Sequence, residues 1–218
     1  MVKSAQTLHR FTNLAAAIHM LRTRKITLLD PNTWDDKNDA YFMAEYKRQK
    51  GLTTLLALCF ANCDETYHHW RVFSHGADGV RIDFDQRALL SAFVGDNQVL
   101  HGDMRYRLIK DLRTPRDYAV DDLPFLKRYP FRDEKEFRIV FADRSVAALT
   151  KDYTFDLSAI RRITLSPWIV RDLADSIIKT LRQIEGCKQL KISRSTLIDN
   201  AEWKKFALAL DYPKGGQT

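Results

Sequence analysis

Arg132-Asp133-Glu134-Lys135-Glu136-Phe137-Arg138-Ile139-Val140-Phe141 reads at strand period. Phe137, Ile139 and Phe141 fall on one face, and Glu134, Glu136 and Arg138 on the other. Like charges two apart on one face of a strand repel, and that cost needs a reason. A ligand that is cationic, or becomes so during a reaction, supplies one. The pattern therefore predicts a buried strand carrying a pair of carboxylates and a guanidinium toward chemistry.

Elements expected upstream follow from punctuation and period. Leu8–Thr12 reads as a short strand, Asn13 as a helix cap, and Leu14 to Arg24 as the helix it starts. Ile26–Leu29 is a second strand, stopped by Asp30-Pro31-Asn32. Trp34 to Lys50 is polar and aromatic, and predicts a loop followed by a short helix. Thr53–Asn62 is a continuous apolar strand, Tyr67–Ser74 a helical turn on Trp70 and Phe73, and Val80–Phe84 an alternating strand. Gln86–Phe93 reads as helix, Gln98–Leu108 as strand, Arg113–Asp122 as a polar connection containing Pro115, and Leu123–Tyr129 as a short helix.

Downstream, Tyr153–Leu157 and Arg162–Leu165 predict strands. Ile169–Ile184 is the strongest amphipathic helix, ended by Gly186. Leu190–Ile192 is a last strand and Asn200–Leu210 a last helix around Trp203 and Phe206. No repeat or Gly/Pro/Ser-rich linker divides the chain. The expectation is a single α+β domain over residues 1–218, with mixed or antiparallel sheets flanked by helices.

The chain has 218 residues, 45% hydrophobic and 29% charged, in the range of ordinary globular proteins. Its formal charge of +7 points weakly to polyanions, with the basic residues spread along the chain rather than gathered in a tail. Cys59, Cys63 and Cys187 are too few for a disulfide framework. Met1-Val2-Lys3-Ser4 opens no apolar leader and no run is long enough to cross a bilayer, so a cytoplasmic protein without a membrane partner is expected.

Three motifs occur in order: Leu8-His9-Arg10-Phe11-Thr12-Asn13-Leu14, then Trp70 ahead of Gly79-Val80-Arg81-Ile82-Asp83-Phe84-Asp85, then Glu134-Lys135-Glu136-Phe137-Arg138-Ile139-Val140. Together they resemble the bacterial family catalogued as domain of unknown function 2971, over most of the chain from Leu8 to Ile192. Where that family shows Asn-Asp-Pro, this chain has Asn38-Asp39-Ala40.

The first and third motifs also resemble the ADP-ribosyltransferase fold, particularly its nucleic-acid-modifying toxin branch. The resemblance implies NAD as substrate. It makes Arg10 the first-strand NAD ligand with Thr12 beside it, Glu136 the catalytic carboxylate, and Glu134 its Glu-x-Glu partner. Tyr41, Phe42 or Trp70 would stack on nicotinamide or adenine, although Trp70 reads more readily as a core anchor than as a stacking platform. The middle motif of that fold has no clear match, neither at Thr53-Thr54 nor at Tyr106. A toxin or phage-defence effector acting on nucleic acid, with an antitoxin or other protein partner, is what the analogy implies.

Rival readings start from other residues. Asp133-Glu134-Lys135 matches the Asp-x-Lys of metal-dependent nucleases, with Asp83 or Asp85 as a further ligand. Strand parity opposes it by turning Asp133 and Lys135 to the apolar side. Cys59, Cys63, His68 and His69 have permissible zinc spacing, but Cys59 sits in an apolar strand as a small hydrophobe. A non-enzymatic nucleic-acid-binding module fits the charge but shows no recognition motif. No Gly-x-Gly-x-x-Gly supports a Rossmann route to NAD.

Overall fold

In a computed structural model, residues 6–74, 76–112 and 117–210 are described. Met1–Ser4 and Pro115, part of the readings above, lie outside them. The central strands are β3 (Thr54–Ala61) and β8 (Glu136–Asp143), antiparallel along their full lengths. Both are buried on two faces; β3 reads as a nearly unbroken apolar run, while β8 buries Glu136, Arg138 and Asp143 among its apolar residues. Leu56, Leu58, Phe60, Phe137, Ile139 and Phe141 enter the main core. Leu55, Ala57 and Val140 face the other way, onto Met43 and Tyr46.

The free edge of β3 forks. Near its end it meets β1 (Thr7–Asn13) at His9↔Ala61, and in its first half it meets β2 (Lys25–Leu29) at Leu29↔Ala57. Helix α1 (Leu14–Thr23) joins these two short-lived neighbours, capped by Asn13, whose side chain accepts from Ala16 N at 2.9 Å.

Beyond the fork each arm extends the sheet with strands of its own. β1 carries β4 (Gly79–Asp85), which pairs β10 (Ile160–Leu165) and then β11 (Ile192–Arg194), while β2 carries β9 (Thr150–Thr154). On its far edge β8 carries β5 (Val99–Asp103). Nine strands of the described residues thus form one mixed sheet, and the fold is α+β.

Helices close the faces. α2 (Lys37–Lys50) covers the second face of β3 and β8, started by Asp36 and stopped by Gly51 at φ 60. α3 (Tyr67–Phe73) sets Trp70 against Phe11 and Ala61. α4 (Gln86–Leu90), α5 (Arg171–Arg182) and α6 (Ala201–Leu208) complete the described helices.

Several elements differ from the sequence expectation. The polar segment expected to be a loop followed by a short helix holds the helix α2, which is 14 residues long. Leu123–Tyr129 is no helix: a 3-10 turn over Val120–Phe125 leads into β7 (Leu126–Arg128), which runs parallel to β6 (Arg105–Arg107). The strand expected over Gln98–Leu108 breaks between β5 and β6 at Met104, whose N–H goes to Glu136 O.

The Arg132–Phe141 run is not strand throughout. Tyr129–Glu134 forms a 3-10 turn with Pro130 near its start, Lys135 takes a left-handed φ of 46, and β8 begins at Glu136. Lys135 O accepts from Asn62 N and Tyr106 Oη accepts from Glu136 N at 2.8 Å, which pins the turn. Glu134 and Glu136 still point to one site, by this turn and not by strand alternation.

Candidate active site

β1 and β3 share one register pair and then part, and the gap becomes a cavity of about 540 Å³. Its wall takes His9, Arg10 and Phe11 from β1, Cys59 and Phe60 from β3, Glu136 and Arg138 from β8, and Asp39 from α2. Trp34, Asp36, Phe73, Lys127, Phe131 and Glu134 complete much of the lining. The volume lies within the range of small-molecule sites.

One side is a buried charge cluster. Arg138, 0% exposed, grips Asp39 with two parallel bonds, Nη1 to Oδ1 at 2.9 Å and Nη2 to Oδ2 at 2.6 Å. Its Nε donates to Glu136 Oε1 at 2.7 Å, and its guanidinium lies 4.6 Å from the Trp34 ring centre. Lys127 Nζ, from β7, reaches Glu134 Oε2 at 2.6 Å, Glu136 Oε2 at 3.0 Å and Asp39 Oδ2 at 3.5 Å.

The environments of the two glutamates push their proton affinities apart. Burial raises that of Glu136, but the charges of Arg138 and Lys127 outweigh it and bring its pKa down to about 2. For Glu134 burial wins, and the pKa is raised despite Lys127. Two acids in one cavity, one held as an anion and one poised to exchange a proton, make a natural division of roles.

Arg10 lines the same cavity. Its Nη1 donates to Cys59 O at 3.1 Å, and it makes no ion pair among the described residues. Burial lowers its pKa. A guanidinium lining a cavity without a carboxylate partner is suited to an anionic ligand. Asp36, which caps α2 through Oδ1, also has an Oδ2 buried without a hydrogen-bond partner.

Of the seven residues that the resemblance singled out, Arg10, Glu134 and Glu136 share this cavity, while Thr12, Tyr41, Phe42 and Trp70 lie outside its lining. The stacking role expected of Trp70 is corrected: it is 0% exposed, packs edge-on against Phe11, and its Nε1 donates to Glu65 Oε2 at 2.6 Å. Tyr41 is corrected likewise, being 65% exposed on the open side of α2. Thr12 is half-buried opposite Val80 in the β1–β4 ladder.

Sequence reading missed Lys127, Asp39 and Trp34. Asp39 stood in the Asn38-Asp39-Ala40 motif and could have been found there; Lys127 gave no local signal. The residues of the rival readings do not converge. Asp133 is exposed, Asp83 is taken by His9, Arg81 and Arg162, and no group of three His, Cys, Asp or Glu among the described residues could hold a metal.

No family model matches the chain, so the likeness to the family of unknown function 2971 rests on its three motifs. No curated protein matches it by sequence. Among solved structures, DarT of Thermus sp. 2.9 in complex with NAD+ matches at 10% identity and a TM-score of 0.48, over 89% of this chain and 98% of that one. The same protein with carba-NAD+ matches at 10% and 0.45, over 88% and 96%. With ADP-ribosylated ssDNA it matches at 12% and 0.47, over 88% and 94%. At these identities and TM-scores the likeness carries no argument about what this cavity does, and the chain's own groups must supply it.

Proposed function

We propose that this chain is an NAD-dependent ADP-ribosyltransferase whose reaction takes place in the forked-sheet cavity. The observation that carries the reading is that one cavity holds an arginine without an ion-pair partner among the described residues and two buried glutamates. Arg10 binds the diphosphate of NAD bidentately. Asp36 Oδ2 accepts from a sugar hydroxyl, and Phe73, Phe131 and Trp34 offer ring faces to the flat ends of the dinucleotide.

The bond between nicotinamide nitrogen and ribose C1′ breaks with its electron pair leaving on nicotinamide, so positive charge develops on the ribose. Glu136, held as an anion, stabilises that charge as it forms. The acceptor nucleophile bonds to C1′ and its proton passes to Glu134.

Nucleic acid is the acceptor we favour, supported by the net charge of +7. A toxin or phage-defence role in the cytoplasm, with an antitoxin partner, belongs to the same proposal; no described helix is long and apolar enough to cross a membrane. The test is incubation with labelled NAD and single-stranded DNA, RNA or protein. Label should transfer without added metal, and Glu136→Gln should cut the rate about 10³-fold, as removal of a preorganised transition-state group does. Absence of NAD turnover with every acceptor, and of nicotinamide release to water, would overturn the reading.

A further inference from the structure

Lys127 has no place in the transfer step as written, yet its ammonium stands among all three carboxylates of the cluster. It comes from a different element than any of them: β7 supplies the lysine, α2 Asp39, the 3-10 turn Glu134 and β8 Glu136. Its side chain is almost wholly buried, with Phe131 at 5.2 Å from Nζ.

A buried lysine is often a nucleophile, which requires the neutral amine. Here burial disfavours the charge, but Glu136, Glu134 and Asp39 outweigh it and the pKa is raised, so the group stays an ammonium. Arg138 already holds Asp39 and Glu136. Among the described residues, Lys127 is the one cation paired with Glu134.

We propose that Lys127 is the positioning residue of the acid pair, keeping Glu134 ionised and aimed beside Glu136 so that it can take the acceptor's proton. This deepens the transferase reading and rests on it. Other groups facing Glu134 do not substitute for the lysine. Glu136 and Asp39 repel its charge, Tyr106 carries no cation and accepts from Glu136 N, Arg138 is engaged by Glu136 and Asp39, and His69 Nε2 meets the Glu134 carbonyl and Cys63 Sγ rather than the carboxylate. Without the ammonium, two acids sharing a low-dielectric site cannot both ionise, and Glu134, lacking Arg138, is the one that protonates.

Two readouts decide it: the pH profile of nicotinamide release, and the titration of ¹³C-labelled glutamate carboxyls by NMR, which needs no activity. Lys127→Met should lower kcat about ten- to a hundredfold with KM for NAD changed less than about twofold. It should also move the Glu134 titration and the acidic limb of the profile up by about one pH unit or more. Lys127→Arg should restore both.

In a Glu134→Gln background, Lys127→Met should cost little more, because the lysine acts through that glutamate. An unmoved Glu134 titration in folded Lys127→Met, or a full additional loss in the Glu134→Gln background, overturns the proposal. If the wild type turns over no NAD, the transferase reading fails while the NMR titration still decides whether Lys127 governs Glu134.

Discussion

Asp83 and Glu136 are both buried carboxylates held by arginine, yet the charge around them is balanced in opposite ways. Asp83 takes Nη2 of Arg81 at 3.1 Å and Nε of Arg162 at 3.1 Å. It also takes Nδ1 of His9 at 2.8 Å; a carboxylate only accepts, so that ring nitrogen carries the proton. The donors saturate a single acid, and its pKa is lowered although burial would raise it. Around Glu136 the acids Asp39, Glu134 and Glu136 share Lys127 and Arg138, so acids outnumber bases by one. A saturated carboxylate ties β1, β4 and β10 together. An acid-rich cluster on a cavity wall keeps negative charge in reserve for a ligand.

The comparison breaks most sharply at its arginines. Arg138→Met would leave Asp39, Glu134 and Glu136 to Lys127 alone, and removing one partner of a buried pair costs about 3–5 kcal/mol. Arg162 is half-exposed and Asp83 keeps Arg81 and His9, so Arg162→Met should cost less than about 1 kcal/mol. Urea unfolding of both variants measures the gap. Equal losses would mean that the two networks are not different in kind.

That difference was only partly readable from residues. An apolar run revealed β3, a strand buried on both faces, alternation of an aromatic and a charged face revealed β8, and Asn13 marked the start of α1. The alternation over Glu134, Glu136 and Arg138 found three members of the cluster, although a left-handed Lys135 sits where strand was expected. Lys127 was invisible because its place depends on β6 pairing with β7, a contact made between segments that carry no strong period. α2 was underestimated for a related reason. Its buried side is narrow, holding Asp39, Ala40, Met43 and Tyr46, and one of these is itself a charged member of the site. Trp70 carried two readings, a stacking platform and a core anchor, and its full burial against Phe11 and Ala61 selects the anchor.

Acid should separate the two glutamates more finely. The Glu136 pKa of about 2 lies below its ordinary value of 4.5, so its contribution to stability is complete above about pH 4.5 and is lost as pH falls toward 2. The shift corresponds to about 3 kcal/mol. Over that window the wild type should lose about that much more stability than Glu136→Gln, measured by urea unfolding at stepped pH. Glu134 has the opposite sign: its raised pKa means the folded state prefers the protonated form, so its ionisation works against folding as pH rises above the ordinary range. Parallel acid profiles for wild type and Glu136→Gln would show that Glu136 is not held as an anion.

Arg10 sets the smallest effect and the most specific one. It lines the cavity with the acid-rich cluster yet makes no ion pair among the described residues, so its charge contributes little to the fold. Arg10→Met should therefore leave stability within about 1 kcal/mol of wild type. A charge-assisted hydrogen bond to the dinucleotide is worth about 1.5–3 kcal/mol, so KM for NAD should rise about ten- to a hundredfold with kcat less affected. Arg10→Lys should recover part of that loss, since it restores the charge but not the bidentate fork. Unchanged KM in Arg10→Met would remove the anion-binding role from β1, and the cavity would then have to hold its ligand from the acid-rich wall alone.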